Sequence, residues 1–184
     1  QGNAVANTYT LRDDFGCAVT IPGTGVLMND VMDDMAAKVG EANSFGLVLG
    51  DANAIRPGRR AASSQTPTMV LKDGKFLLAT GSPGGPTIIN TVLQVITNVI
   101  DFQLPVMQAV EAPRINHQWL PDQVQYERFR MSTDTMNALK AMGHTLVIRP
   151  INQGDAETVM IDPATNLRLG ASDPRKPDTK SVGY

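Results

Sequence analysis

Cysteine is nearly absent from the 184 residues: Cys17 stands alone. That excludes an internal disulfide and a cysteine-based metal site, and a lone thiol is accounted for as a small hydrophobe. Hydrophobic residues make up 42% of the chain, yet no apolar run approaches the ~18 residues needed to span a bilayer. Neither sign of charge prevails. Lys+Arg number 16 and Asp+Glu 18, scattered along the chain, for a formal net charge of −2, and the basic footprint of a nucleic-acid binder is missing. The only histidines, His117 and His144, lack the spacing of a metal pair, and no Ser-His-Asp arrangement is indicated. There is no internal repeat and no low-complexity segment. No metal and no cofactor is expected.

What is present suits one domain over residues 1–184 with a sizeable core. Ala4–Leu11 carries β-branched and aromatic residues and predicts a strand, and more strand is predicted in Gly16–Val26 around Pro22-Gly23. Met69–Leu71 and Phe76–Ala79 flank Asp73-Gly74, a strong hairpin signal. Pro105–Ala112 predicts a short helix stopped by Pro113. Ser132 or Thr133 can cap a helix running through Met142 and ended by Gly143. His144–Ile148 predicts a strand, and Glu157–Ile161 and Leu167–Leu169 flank a second hairpin turn. The dominance of hairpins predicts antiparallel sheets with helices packed outside, an α+β arrangement. The long polar stretch Lys38–Gln65 is the candidate for an ordered functional loop.

The most informative stretch is Lys75–Asp101. After the Phe76–Ala79 strand come Gly81, Gly84 and Gly85, then a helix opened by Pro86, whose missing N–H would have no partner there. Its apolar residues are Ile88, Ile89, Val92, Leu93, Ile96, Val99 and Ile100. Two glycines ahead of a helix let backbone N–H groups face a ligand without obstruction from a Cβ. Such groups suit a phosphate, a carboxylate or a developing oxyanion. No Lys-Ser/Thr pair follows and the spacing is not GxGxxG, so this is neither a P-loop nor a dinucleotide fingerprint. A plain strand-to-helix turn explains the local pattern equally well.

The segments GNAVANTYTL (2–11), MNDVMDDM (28–35), FGLVLGDANAIRPGRRAASSQTPTMVLKDGK (45–75), TGSPGGP (80–86), EAPRINHQWLPD (111–122) and GASDPR (170–175), in this order, resemble the small subunit of a γ-glutamyltranspeptidase. This is the N-terminal-nucleophile hydrolase family also called glutathione hydrolase. The resemblance implies a four-layer α/β/β/α sandwich, of which this chain supplies part. It also implies a precursor that cleaves itself ahead of a Thr, whose hydroxyl becomes the nucleophile and whose free amine serves as base. About nine residues including that Thr are expected to precede Gln1. The large subunit completes the pocket, so the chain alone is expected to be inactive and to self-associate through unpaired edges and apolar surface. Export to the periplasm or outside the cell is implied by the family only.

Carried over residue by residue, the resemblance assigns Thr10 to a hydrogen bond with the nucleophile. A β-branched residue ending a strand is the plainer reading. Gly84 and Gly85 would form the oxyanion hole. Asp34, the second Asp of MDD, would bind the donor's α-ammonium, with Asp33 structural. Ser63 and Ser64 would hold the α-carboxylate together with an Arg of the large subunit. His117 reads as structural. Three positions depart from the family. Arg12 stands where an Asn is usual, near nucleophile and substrate, and pairing with Asp13 and Asp14 at the surface is the simple expectation for it. Val31 replaces a Gln or Glu that helps hold the ammonium, and Phe45 replaces a Tyr in the loop that covers the pocket. These changes predict acyl-transfer machinery that is kept and amino-acid recognition that is loosened or altered.

Three functions compete. The first is a γ-glutamyltransferase or glutathione hydrolase, taking glutathione or another γ-glutamyl compound and passing the acyl group to water or to an amino-acid or peptide acceptor. The second is a relative acting on another acyl amide, such as a cephalosporin side chain or poly-γ-glutamate. The third is a non-catalytic binding protein that retains the fold.

Overall fold

The structure, a computed structural model, describes residues 2–183. It divides into two compact units, one of Gln1–Thr8 with Gln65–Tyr184 and one of Tyr9–Ser64.

The larger unit is α+β. Its elements are β1 (Thr68–Lys72), β2 (Lys75–Gly81), α1 (Ile88–Ile100), α2 (Val106–Glu111), β3 (Ile115–Asn116), β4 (Val124–Tyr126), α3 (Thr133–Ala141), β5 (Leu146–Ile148), β6 (Glu157–Ile161) and β7 (Arg168–Ala171). A four-stranded sheet runs β1-β2-β6-β7, antiparallel throughout. Asp73 and Gly74 turn the first hairpin with φ of 52° and 74°. Two successive positive φ values match the twist of the flanking strands, which is why Asp-Gly works there. In β2 the consecutive residues Leu77, Leu78, Ala79 and Thr80 are all buried, as expected of a strand covered on both faces. Thr80 and Thr158 face each other across β2 and β6, hydroxyl to hydroxyl at 2.8 Å.

Helix α1 is rich in β-branched residues, which lose χ1 freedom in a helix and favour strands. Packing overrides that preference. Ile88, Thr91, Val92, Val95 and Val99 form one buried stripe at helical spacing. Val95 packs with Val106 and Val110 of α2, with Ala156 just ahead of β6 and with Ala171 of β7, and Val99 packs with Leu77 and Leu78 of β2 and Ala109 of α2. Thr91 and Thr97 donate their hydroxyls to the carbonyls of Thr87 and Leu93, four residues back. The opposite side of α1 is apolar too but exposed, at Ile89, Leu93 and Ile100. Ser132 caps α3 by accepting from the Thr135 amide.

Several expectations need correction. Ala4–Leu11 forms no strand, because its backbone finds no neighbouring strand to build a ladder with. The Gly16–Val26 segment holds a single antiparallel bridge, Thr20 to Leu27, rather than a strand. The helix after the glycines begins with a 3-10 turn over Gly85–Thr87 and becomes α-helical only at Ile88. Hairpins do not account for everything: a second sheet, β3-β4-β5, contains a parallel pair, β4 with β5, joined through α3 as parallel strands require.

The unit Tyr9–Ser64 has little regular structure. It contains 3-10 turns at Val31–Asp34 and Asp51–Asn53 and a parallel bridge between Ala36 and Ala54. Met35, Ala36 and Ala54 are its buried apolar residues.

Candidate active site

The glycine turn sits where β2 hands over to α1. Gly84 has φ 141° and Gly85 φ 55°, a backbone course that favours glycine at both positions. The Gly84 carbonyl accepts the Thr87 amide at 3.1 Å and the Thr87 hydroxyl at 2.9 Å. The Gly84 amide donates to no acceptor among the described residues and lies at the surface. Both glycines are outside every strand ladder.

Beneath the turn lies Gln153–Asp155. Gly154, with φ 70°, leaves no room for a side chain: an added Cβ would stand 2.7 Å from the Ser82 hydroxyl and 2.8 Å from Thr91. The Ser82 hydroxyl donates to the Pro83 carbonyl and accepts the Asp155 amide at 2.9 Å. The turn is therefore braced on both sides by residues far along the chain.

A buried ion network holds that brace. Arg175 grips the Glu127 carboxylate with Nε at 2.6 Å and Nη2 at 2.7 Å, a bidentate geometry that Arg supplies and Lys does not. Arg175 also meets Asp173 at 3.1 Å, and Arg114 meets Asp173 at 2.7 Å. Arg114 donates to the Gln153 carbonyl at 2.7 Å, while Glu127 accepts the Gln153 amide at 3.0 Å. All four side chains are essentially inaccessible. Burial pushes the Glu127 and Asp173 carboxyls up, but the arginines and the Gln153 and Ala156 amides outweigh it and hold both below the ordinary carboxylate range. Asp155 lacks such partners: burial, then the charges of Glu157 and Asp173, push its carboxyl up, and its Oδ1 is buried without a hydrogen bond.

The second cluster lies in the Tyr9–Ser64 unit and centres on Arg12. Its guanidinium donates to Asp34 at 2.7 Å, Asp33 at 2.6 Å, Asp30 at 3.1 Å and the Ser44 hydroxyl at 3.0 Å. The Phe45 ring lies 4.5 Å from the guanidinium carbon, a cation–π distance. Surface pairing with Asp13 and Asp14 is thus overturned. The side chain is only 5% exposed, Asp13 is a distant contact at 3.6 Å, and the close carboxylate partners lie 18 to 22 residues away. Burial alone would lower the Arg12 pKa, but the hydrogen bonds and charges of these aspartates raise it. Thr10 joins the cluster by accepting the Arg12 amide at 2.9 Å, which leaves its hydroxyl proton to donate elsewhere.

Asp34 is fixed from behind by Asn53. The Asn53 Nδ2 donates to the Asp34 carbonyl at 2.6 Å, and its Oδ1 accepts the Ala62 amide at 3.3 Å, directly ahead of Ser63 and Ser64. One side chain thus links the two stretches assigned to the ammonium and the carboxylate of a donor. Asn53 escaped the sequence reading, though it stands in the polar stretch flagged as a functional loop. So did Glu127, Gln153 and Asp155, which carry no local pattern. His117 meets Asp122 at 3.0 Å on an exposed loop. Among the described residues no group of three or more His, Cys, Asp or Glu could hold a metal ion, and no helix is long and apolar enough to cross a membrane.

Thr10, Arg12 and Asp34 are therefore brought together, with Ser63 and Ser64 tied in through Asn53. Gly84 and Gly85 belong to the other unit. The gamma-glutamyltranspeptidase profile matches residues 1–183. The chain is 48% identical over 184 residues to a glutathione hydrolase proenzyme of Escherichia coli, covering 100% of this chain and 31% of that protein. The chain thus spans about a third of the length of the curated relatives it matches. Among solved structures, a mutant gamma-glutamyltranspeptidase of Helicobacter pylori superposes with a TM-score of 0.90 at 47% identity, covering 95% of each chain. The Pseudomonas nitroreducens enzyme complexed with L-DON gives 0.89 at 44% identity, covering 100% of this chain and 95% of that one. The chain belongs to the gamma-glutamyltranspeptidase family.

Proposed function

We propose that this chain is the small-subunit part of an acyl-transfer enzyme of the γ-glutamyltransferase and glutathione hydrolase type. In the proposed reaction a hydroxyl contributed by residues ahead of the chain attacks the γ-carbonyl of an amide donor such as glutathione. The carbonyl carbon gains an ester bond to that oxygen, the C–N bond breaks, and the proton leaves on the departing amine. Water or an amino-acid or peptide amine then takes the acyl group and restores the hydroxyl. The amides of Gly84 and Gly85 would receive the negative oxygen of each tetrahedral intermediate. Losing one such donor typically costs on the order of 10²–10³ in rate. Thr10 would orient the nucleophile through its remaining proton, Asp34 would lie beside the donor's α-carbon, and Ser63 and Ser64 would take its α-carboxylate.

The observation that carries this reading is the exposed Gly84 amide without an acceptor among the described residues, at a position whose φ of 141° and approach to Thr87 favour glycine. The partner would be a large subunit from the same precursor, and the location periplasmic or extracellular. Without that partner, the exposed apolar side of α1 at Ile89, Leu93 and Ile100 would drive self-association, and light scattering showing a clean monomer at high concentration would argue against it. The main test is hydrolysis of γ-glutamyl-p-nitroanilide by the complete, matured protein. Release of nitroaniline that is lost with Gly84→Val supports the reading. A full-length chain that never cleaves into two, and never hydrolyses an acyl anilide, favours a binding protein that kept the fold.

A further inference from the structure

We infer that Arg12 is a specificity-determining residue that frees the enzyme from requiring an α-ammonium on its donor, so that an ω-carboxyacyl amide such as a glutaryl amide is accepted at least as well as a γ-glutamyl amide. This rests on the reading above that Asp34 lies beside the donor's α-carbon. A glutaryl group differs from a γ-glutamyl group only in lacking the ammonium, so the pair isolates what Asp34 recognises.

An ammonium carries three N–H donors and accepts nothing. It needs acceptor oxygens with negative charge to spare. Asp34 is the acidic side chain assigned to it, and its Oδ1 already receives the Arg12 Nε at 2.7 Å. Arg12 is not a loose surface group that an incoming cation displaces. Its side chain is 5% exposed, its two terminal nitrogens are held by Asp30, Asp33 and Ser44, and the Phe45 ring lies against it. A donor ammonium on the same carboxylate would stand about 4 Å from a permanent positive charge, where repulsion is strong in a partly dry site. The neighbouring position 31 offers no compensation, because a Val side chain has no acceptor. The Asp34 backbone carbonyl is likewise engaged, by Asn53 at 2.6 Å. In effect the chain carries its own cation where the donor's would sit. The donor's carboxylate is unaffected, since the serines assigned to it are separate residues.

The test compares glutaryl-p-nitroanilide with γ-glutamyl-p-nitroanilide on the complete, matured two-chain protein. The expected result is a kcat/KM for the glutaryl donor equal to or above that for the γ-glutamyl donor. In Arg12→Asn the γ-glutamyl donor should gain on the glutaryl donor by about ten- to a hundredfold, the worth of one charge-assisted hydrogen bond, and the gain should appear in KM rather than kcat. A wild-type protein that prefers the γ-glutamyl donor overturns the inference, whatever the variant does. If neither anilide is hydrolysed, the acyl-transfer reading fails and the inference is decided by calorimetry on the same protein. Glutarate binding as tightly as L-glutamate, or tighter, sustains it, and L-glutamate binding more tightly overturns it.

Discussion

Two arginine-centred ion clusters, one in each unit, differ in a way that separates scaffold from site. In the larger unit two cations, Arg114 and Arg175, meet two anions, Glu127 and Asp173, and all are sealed from solvent. The charges balance, and further hydrogen bonds go to backbone groups of α2, of the Gln153 loop and of Ala156, with Arg114 Nε left buried and unpartnered. In the Tyr9–Ser64 unit one cation, Arg12, faces Asp30, Asp33 and Asp34, whose side chains are 17%, 40% and 29% exposed. That cluster is unbalanced and open on its acidic side. A closed, neutral network can only hold parts together. An open one leaves carboxylate oxygens where a ligand can reach them.

Substitutions sharpen the contrast. The largest effect is expected from Glu127→Gln, which keeps the shape but leaves two buried arginines facing one carboxylate. Breaking a buried pair this way costs about 3–5 kcal/mol, to be read as a loss of unfolding free energy in denaturant. A loss under 1 kcal/mol would show that the network is not the scaffold described here. Next is Gly154→Ala. The positive φ and the 2.7–2.8 Å approaches to Ser82 and Thr91 should cost about 1–3 kcal/mol. Because the loop braces the glycine turn, the rate of the proposed acyl transfer should fall further than the stability loss explains.

The pH dependence divides along the same line. Glu127 and Asp173 have depressed folded-state values. Their stabilisation is complete above the unfolded carboxylate range and is lost as pH falls through about 4 and below. Asp155 has a raised value, so the sign reverses. The folded state holds its proton more tightly than the unfolded state does, and stability declines as pH rises from about 4 toward the folded value. Asp155→Asn should therefore raise the melting temperature relative to wild type more at pH 7 than at pH 4, and an equal difference at both would refute the assignment. The smallest effect is expected from Asp33→Asn. With two other carboxylates still on Arg12 and a half-exposed partner lost, stability should change by about 0–1 kcal/mol.

Local chemistry made much of this fold legible. The Asp73-Gly74 turn and the Ser132 cap are each written within a dozen residues and appear where expected, whereas the buried stripe on α1 keeps Ile88, Val92 and Val99 of the expected apolar set, adds Thr91 and Val95, and leaves Ile89, Leu93 and Ile100 exposed. Ala4–Leu11 failed because β-propensity describes a residue's fit to a sheet, and no strand lies beside it to make one. Gly84 and Gly85 could be singled out because a turn that excludes side chains leaves a mark in the sequence. Arg12 could be flagged as foreign, but not placed. Its neighbours in sequence, Asp13 and Asp14, looked sufficient, while its real partners are set by the fold of the 3-10 turn Val31–Asp34. The Arg114–Glu127–Asp173–Arg175 network was invisible for the same reason: three members lie in recognisable motifs, but nothing local says that they meet.

The Gln153–Asp155 loop also bears on the order in which the molecule is built. Ser82 waits for Asp155, 73 residues downstream, and Thr80 for Thr158, 78 downstream. Arg175, which locks the assembly, reaches back to Val110 across 65 residues. A chain emerging from the ribosome thus makes its glycine turn before the residues that brace it, 153–175, have appeared. Such long loop closures slow folding, and they give the segment from Gln153 to Arg175 control over when the turn is set.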